Sequence, residues 1–230
     1  MLKIWGRRNS LNVQKVMWAV GELGLAHEHI PAGGSFGGLD TEEFGDLNPN
    51  RRVPVIDDGG TVVWESHAIV RYLAAKYGSG TLWPEDPAAR ALSDLWTDWT
   101  LADLQPAFIN GVFWNFYRTP EAQRNWPAIR QGIARSAILF RLLDRHLEGR
   151  TFVAGDAFTF GDIPAGAQLY RYFELEIDRP ALPTGLWLSD RDVAGACRVL
   201  ASARRHPLCK ANRRRDGPRL RPDAHARLQP

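Results

Sequence analysis

Cysteine is almost missing from this chain of 230 residues, which holds only Cys197 and Cys209. Both lie near the C-terminal end, without paired spacing or a histidine cluster, so neither a disulfide framework nor a zinc site is expected. The first 196 residues contain no thiol. Any thiol chemistry at the front of the chain must therefore use a thiol carried by another molecule. Long apolar runs are missing as well. No stretch approaches the roughly 18–20 residues of a membrane span, and the opening Met1-Leu2-Lys3-Ile4-Trp5 turns polar before it forms a signal-peptide core. The expectation is a cytoplasmic protein with no membrane partner and no metal. No internal repeat is visible.

The net charge of +3 conceals a division. Residues 1–180 carry 18 Lys and Arg against 22 Asp and Glu, while residues 181–230 carry 11 against 4. The body thus has no excess of positive charge to hold a nucleic acid, and that class of partner is not expected.

What is present is an ordinary globular composition, 44% hydrophobic and 24% charged, long enough for one large domain or two small ones. Leu2–Trp5, closed by Gly6, suits a strand. From Asn12 to Leu23, the apolar residues Val13, Val16, Met17, Val20 and Leu23 recur at helical spacing, and Gly24 supplies a stop. A second strand is expected over His27–Pro31, then a Gly-rich loop and a short helix near Thr41–Leu47. Val53–Asp57, Asp58-Gly59-Gly60 and Thr61–Trp64 read as a hairpin. Ser66 is placed to cap a helix whose apolar face is Ile69, Val70 and Leu73 and whose end is Gly78.

Strand signals then vanish. Ala88–Tyr117 predicts a long helix with Leu92, Leu95, Trp99 and Ala102 on one face. Thr119-Pro120-Glu121 reads as a further helix start, with Pro127 restarting or kinking the segment that continues through Ile129, Ile133, Ala137, Phe140, Leu143 and Leu147. Thr159-Phe160-Gly161-Asp162 has capping-box form with aspartate in the usual glutamate place, and opens a helix through about Phe173. The expected architecture is an α/β domain over 1–79, a linker over 80–87, an all-α domain over 88–183, and an atypical basic tail over 184–230.

Three short segments carry polar groups suited to a ligand. Ser10-Leu11-Asn12 stands where the first strand meets the first helix. Either residue suits a simple N-cap, yet a helix N-terminus also favours anions, including a thiolate. Asn48-Pro49-Asn50-Arg51-Arg52-Val53-Pro54 suits a cis Val53–Pro54 bond that turns the Val53 backbone outward to a peptide-like ligand; a trans proline opening an edge strand is the alternative. Glu65-Ser66 at a helix start offers a carboxylate and a hydroxyl to a ligand's ammonium and carboxylate, or else a plain cap.

In this order, Ser-x-Asn-x-x-Lys at 10–15, Asn-Pro-x-x-x-Val-Pro at 48–54, Glu-Ser-x-Ala-Ile at 65–69 and Phe158-Thr159-x-x-Asp162, the chain resembles the glutathione transferase family, over roughly residues 1–183. The resemblance implies a thioredoxin-like N-terminal domain, an all-α C-terminal domain, glutathione as co-substrate and a homodimer. It implies that Ser10 and Asn12 activate the glutathione sulfur, as in bacterial theta-like or nu-like branches. Val53, beside a cis Pro54, would pair with the cysteinyl part, Glu65 and Ser66 would take the γ-glutamyl end, and Arg52 would stand near the glycyl carboxylate. Transfer to small electrophiles or reduction of disulfides or peroxides is the implied activity, with a non-catalytic glutathione-binding scaffold as the alternative.

Arg51 stands where relatives commonly have glycine, which predicts strain if the backbone there needs positive φ. Trp114 and Tyr117 are the expected lining of an acceptor pocket; Trp96, Trp99 and Phe113 suit it too, although core packing and a dimer interface explain most of the aromatic surplus. The tail departs from the family after Pro183. Its Arg-, Ala- and Pro-rich composition points to disorder or low complexity, and a shift of the coding frame near residue 184 is preferred over a basic arm for anionic surfaces.

Overall fold

The computed structural model describes residues 1–175. The expectations for the 184–230 tail, including the frame shift, lie outside the described residues. Four short strands form one mixed sheet in the order β2-β1-β3-β4. Strand β1 (Leu2–Trp5) runs parallel to β2 (His27–Ile30) and antiparallel to β3 (Val55–Asp58), and β3 pairs antiparallel with β4 (Thr61–Trp64). Ile4 of β1 stands opposite His29 on one side and Ile56 on the other.

Neighbouring residues of a strand face opposite sides of the sheet, and the core divides accordingly. Helices α1 (Leu11–Glu22) and α3 (Ser66–Tyr77) cover one face, where Val13, Val16, Val20, Ile69 and Leu73 pack on Ile4 and Ile56. The next residue, Val55, turns to the other face and meets Phe44 of α2 (Glu42–Leu47) together with Ala32. Gly6 lets α1 begin this close to the sheet, because a Cβ there would run into the Val13 side chain. The β3–β4 turn is tighter than the sequence predicts. Asp58 still pairs with Thr61, only Gly59 and Gly60 form the turn, both at positive φ, and Val53 and Pro54 stay outside the strand.

The rest of the described chain is helical. Asp86 caps α4 (Pro87–Trp99) by accepting from the Ala89 N–H at 2.8 Å. The backbone then continues through π-helical turns at Thr100–Leu104 and Pro106–Phe113 into the single turn α5 (Trp114–Tyr117). The expected long helix is therefore continuous in direction but not in winding. Pro106 has no N–H to donate to the preceding turn, which is where wider turns arise. The buried side of α4 is Ser93, Trp96 and Thr97, while Leu92 and Leu95 of the predicted apolar face are exposed.

Thr119-Pro120-Glu121 starts only a short 3₁₀ turn. The next long helix, α6 (Trp126–Leu147), starts instead at Asn125, whose side chain accepts from the Ala128 N–H, with Pro127 in the first turn where its missing donor costs nothing. Gly132 of α6 rests against Gly111; a Cβ on Gly132 would lie 2.9 Å from the Gly111 carbonyl carbon and oxygen. Helix α7 (Asp162–Glu174) closes the bundle. Asp162 is fully buried and accepts from the Thr159 N–H and the Val153 N–H, each at 2.9 Å, and from the Thr159 hydroxyl at 3.1 Å. The aspartate half of the predicted capping box is thus present, whereas the N-cap of α7 is Gly161 and the Asp162 N–H bonds the Thr159 carbonyl rather than its hydroxyl. Through Trp18, Ala19, Val70 and Ala74, the outer sides of α1 and α3 join the core of the helical bundle. The fold is a thioredoxin-like N-terminal domain backed by an all-α C-terminal domain.

Candidate active site

The predicted site residues gather where α1 and α3 begin, beside the loop that leads into β3. Ser10 occupies the N-cap position of α1 with extended geometry (φ −76, ψ 126), and its carbonyl accepts from the Gln14 N–H at 2.9 Å. Its hydroxyl makes no capping hydrogen bond. The side chain is in the place of a cap but does not perform that task. The half-buried Asn12 lies in the first turn, and its Oδ1 receives a hydrogen bond from Lys15 Nζ at 3.1 Å. An ammonium can only donate, so Oδ1 must face Lys15 and Nδ2 is turned the other way.

Lys15 is fully buried. Besides Asn12 it meets His67 Nε2 at 2.9 Å and Gln105 Oε1 at 3.3 Å. Burial lowers its pKa to about 7 against the opposing pull of Glu65. Burial, then the nearby Lys15 and Arg71 charges, push His67 down to about 2, so its ring is neutral and Nε2 accepts from Lys15. These bonds tie the start of α1 to the start of α3 and to the helical domain. Sequence reasoning placed Lys15 in a motif but gave it no part, and missed His67 and Gln105. The available signal was a lysine three residues after Asn12, directly before the apolar run Val16–Val20.

The loop before β3 is braced from within. Asn48 Nδ2 donates to the Arg52 carbonyl at 2.8 Å, and Asn48 Oδ1 accepts from the Asn50 N–H at 2.9 Å. Arg51 adopts positive φ, 51°, where a side chain is disfavoured. Its guanidinium offsets this by donating to the Leu39 carbonyl at 3.1 Å and the Thr41 carbonyl at 2.6 Å. Arg52 is exposed beside it. Val53 precedes Pro54 through a cis peptide bond, and Val53 packs against the cluster that contains Val13 and Ile69.

Glu65, not Ser66, occupies the N-cap position of α3, and Ser66 is its first helical residue. Helix α3 starts one residue earlier than a Ser66 cap predicts, directly after Glu65, whose φ 69 and ψ 117 lie outside helical geometry. Glu65 is exposed and Ser66 buried. A non-glycine residue held at positive φ costs about 1–3 kcal/mol and recurs at ligand sites.

Trp114 and Tyr117 are separate from this group but linked to it. Both are nearly half exposed, at 44% and 47%. Tyr117 stacks on Phe113 at 5.2 Å, and the Arg171 guanidinium lies over the other ring of that pair, Phe113, at 4.9 Å. Arg171 also donates to the Asn9 carbonyl at 3.1 Å and to Gln14 Oε1 at 2.8 Å, which joins the aromatic pair to the loop bearing Ser10. Trp96 is buried against Trp99 and His146 and belongs to the core. Among the described residues no cluster of three metal-binding side chains occurs, and no helix is long and apolar enough to cross a membrane.

Known proteins are similar to this chain in sequence and fold. Residues 9–76 match the family model described as glutathione S-transferase, N-terminal domain. Glutathione S-transferase GstB of Escherichia coli K12 is 40% identical over 177 residues, 76% of this chain and 85% of the relative. A theta class glutathione S-transferase of Xanthomonas axonopodis pv. citri, solved with glutathione bound, superposes with a TM-score of 0.80 at 41% identity, covering 91% of this chain and 95% of the other. Poplar glutathione transferase F1 has the same fold at 22% identity and a TM-score of 0.75, covering 91% of this chain and 95% of its own. The fold and site thus define a thioredoxin-like domain joined to a helical bundle, with polar groups converging on two helix starts. The chain belongs to the glutathione transferase family.

Proposed function

We propose that the protein is a glutathione-dependent transferase whose thiol site lies at Ser10 and Asn12. The observation that carries this reading is the start of α1, where a hydroxyl at the cap position makes no capping bond and an amide is turned with its donor away from Lys15. Both can hydrogen-bond a sulfur at the positive end of a helix. A thiol with an ordinary pKa of about 8.5 is mostly protonated at neutral pH, so donors and a helix N-terminus raise the reactive thiolate fraction. The rest of the tripeptide is held by the Val53 backbone beside Pro54, by Glu65 and Ser66 at the γ-glutamyl end, and by Arg52 near the glycyl carboxylate. The glutathione bound to the Xanthomonas relative supports glutathione as the ligand.

The second substrate is a small electrophile, a disulfide or a peroxide taken against Trp114 and Tyr117. The working form is a cytoplasmic homodimer, and the exposed Leu92 and Leu95 stripe of α4 is the kind of surface a second copy would cover. Calorimetric titration with glutathione, paired with turnover assays on electrophilic, disulfide and peroxide substrates, tests the proposal. Binding with turnover is expected. Folded protein that does not bind glutathione would overturn the reading, and binding without turnover on any substrate would favour a glutathione-binding scaffold. Light scattering at micromolar concentration should give a dimeric mass.

A further inference from the structure

Lys15 is a buried amine that links α1, α3 and the helical domain, and burial lowers its pKa to about 7, so that it is partly cationic at neutral pH. Its three ammonium protons go to three neutral acceptors, Asn12 Oδ1, His67 Nε2 and Gln105 Oε1, and among the described residues no carboxylate hydrogen-bonds to it. Burying a charge without a paired anion is costly, and an apolar residue of similar volume would usually serve the core better. An anion close by therefore favours the charged form of Lys15. The amide that Lys15 orients is one of the two groups assigned to the glutathione sulfur.

We propose that Lys15 is a positioning residue for the glutathione thiolate: its ammonium fixes the Asn12 amide with Nδ2 turned toward the sulfur and sets a buried positive charge behind it. The inference rests on the site proposed above. Around Lys15, α1 presents the neutral Asn12. Helix α3 presents the neutral His67, with the Glu65 carboxylate at its start and Arg71 one turn further on. The π-helical part of the bundle presents the neutral Gln105, and α7 sets Arg171 against Gln14 on the neighbouring side of α1. Among the described residues, Glu65 is the carboxylate whose charge acts on Lys15, and it does so without a direct bond. A thiolate near Asn12 would add a second negative charge and stabilise the ammonium in return, since the coupling is reciprocal.

The test is the pKa of enzyme-bound glutathione, followed by the ultraviolet absorbance of the thiolate across pH, in the wild type and in Lys15→Met and Lys15→Arg. Lys15→Met should raise the bound-thiol pKa by about one unit, which cuts the thiolate fraction and kcat/KM about tenfold at pH values below the bound-thiol pKa, and less above it. Lys15→Arg should recover part of this. Affinity for S-methylglutathione, which has no ionisable thiol, should be unchanged in Lys15→Met. An unaltered bound-thiol pKa in Lys15→Met, or equal loss of glutathione and S-methylglutathione affinity, would show a purely structural lysine. If Lys15→Met does not fold, Gln105→Leu removes one acceptor from the ammonium at a half-buried position and should shift the thiol pKa upward by a smaller step; no shift there would overturn the inference as well. A wild type that fails to bind glutathione defeats both this inference and the proposed function. A wild type that binds and turns over, with effects at Ser10 and Asn12 but none at Lys15, defeats this inference alone.

Discussion

Replacing Asp162 with alanine should produce one of the larger stability losses available in this protein. The carboxylate accepts three hydrogen bonds at a site with no exposure, two of them from the backbone N–H groups of Val153 and Thr159. Val153 and Thr159 are themselves nearly buried, at 2% and 3% exposure, so water cannot replace the missing acceptor. Each buried donor left unpaired costs about 1–3 kcal/mol. Relief from burying a charge offsets part of that sum, which leaves a net loss of about 3 kcal/mol and, for a chain of this size, a fall in Tm of about 6–12 °C. Thermal unfolding followed by circular dichroism would measure it, while glutathione binding at low temperature should persist because Asp162 lies outside the site. A fall in Tm below about 2 °C would refute the reasoning. The pH dependence adds a second reading. Burial raises the Asp162 pKa from 3.8 to about 6, so the folded state holds a proton that the unfolded state has released across that interval. The stability from this group is fully present below 3.8 and is lost as pH rises through about 6. Asp162→Asn should flatten that slope.

Ser10→Ala and Asn12→Ala should lower turnover more than glutathione affinity, by roughly 1.5–3 kcal/mol for each hydrogen bond lost to a charged sulfur; unchanged turnover in both would show that other groups activate the thiol. Arg51→Gly should be more stable than Arg51→Ala by about 1 kcal/mol, since both lose the bonds to Leu39 and Thr41 but only glycine relieves the positive φ; urea unfolding of the pair isolates that term. Gly132→Ala should cost about 1–3 kcal/mol by forcing α6 off the Gly111 backbone, and equal midpoints for variant and wild type in denaturant would contradict the close approach.

The strand and helix order of the front domain was legible because its signals are local. Val13, Val16 and Val20 repeat at helical spacing, and Gly59-Gly60 marks a turn between two β-rich runs. The four family motifs were legible because each is a short contiguous string. What escaped depends on partners distant in sequence. Lys15 reads as an exposed helix residue until His67 and Gln105 close over it, and neither is foreshadowed nearby. The apolar face chosen for α4 was misread for a related reason. Leu92 and Leu95 are the larger hydrophobic residues, but the helix turns Ser93 and Thr97 inward because their hydroxyls bond the preceding turn and Thr159, and because Gly161 sits directly on the Ser93 backbone. Thr119-Pro120 looked like a helix start on local grounds and lost to Asn125-Trp126-Pro127, where the cap bond is made.

The π-helical turns between Thr100 and Phe113 give the long second-domain helix two orientations in one continuous rod. Each wider turn rotates the backbone less per residue than an α-helix does, so the angular phase of everything beyond it is displaced. Leu92 and Leu95, upstream, look outward. Trp114 and Tyr117, downstream, are set by that displacement beside the Phe113–Arg171 link to the Ser10 loop. In the function proposed above, the same element would face a second subunit at one end and a substrate at the other without a break in the chain. Its length in residues is accordingly under a tighter constraint than its composition. Deleting one residue between Thr100 and Phe113 would leave a good helix and turn its aromatic end away from the loop.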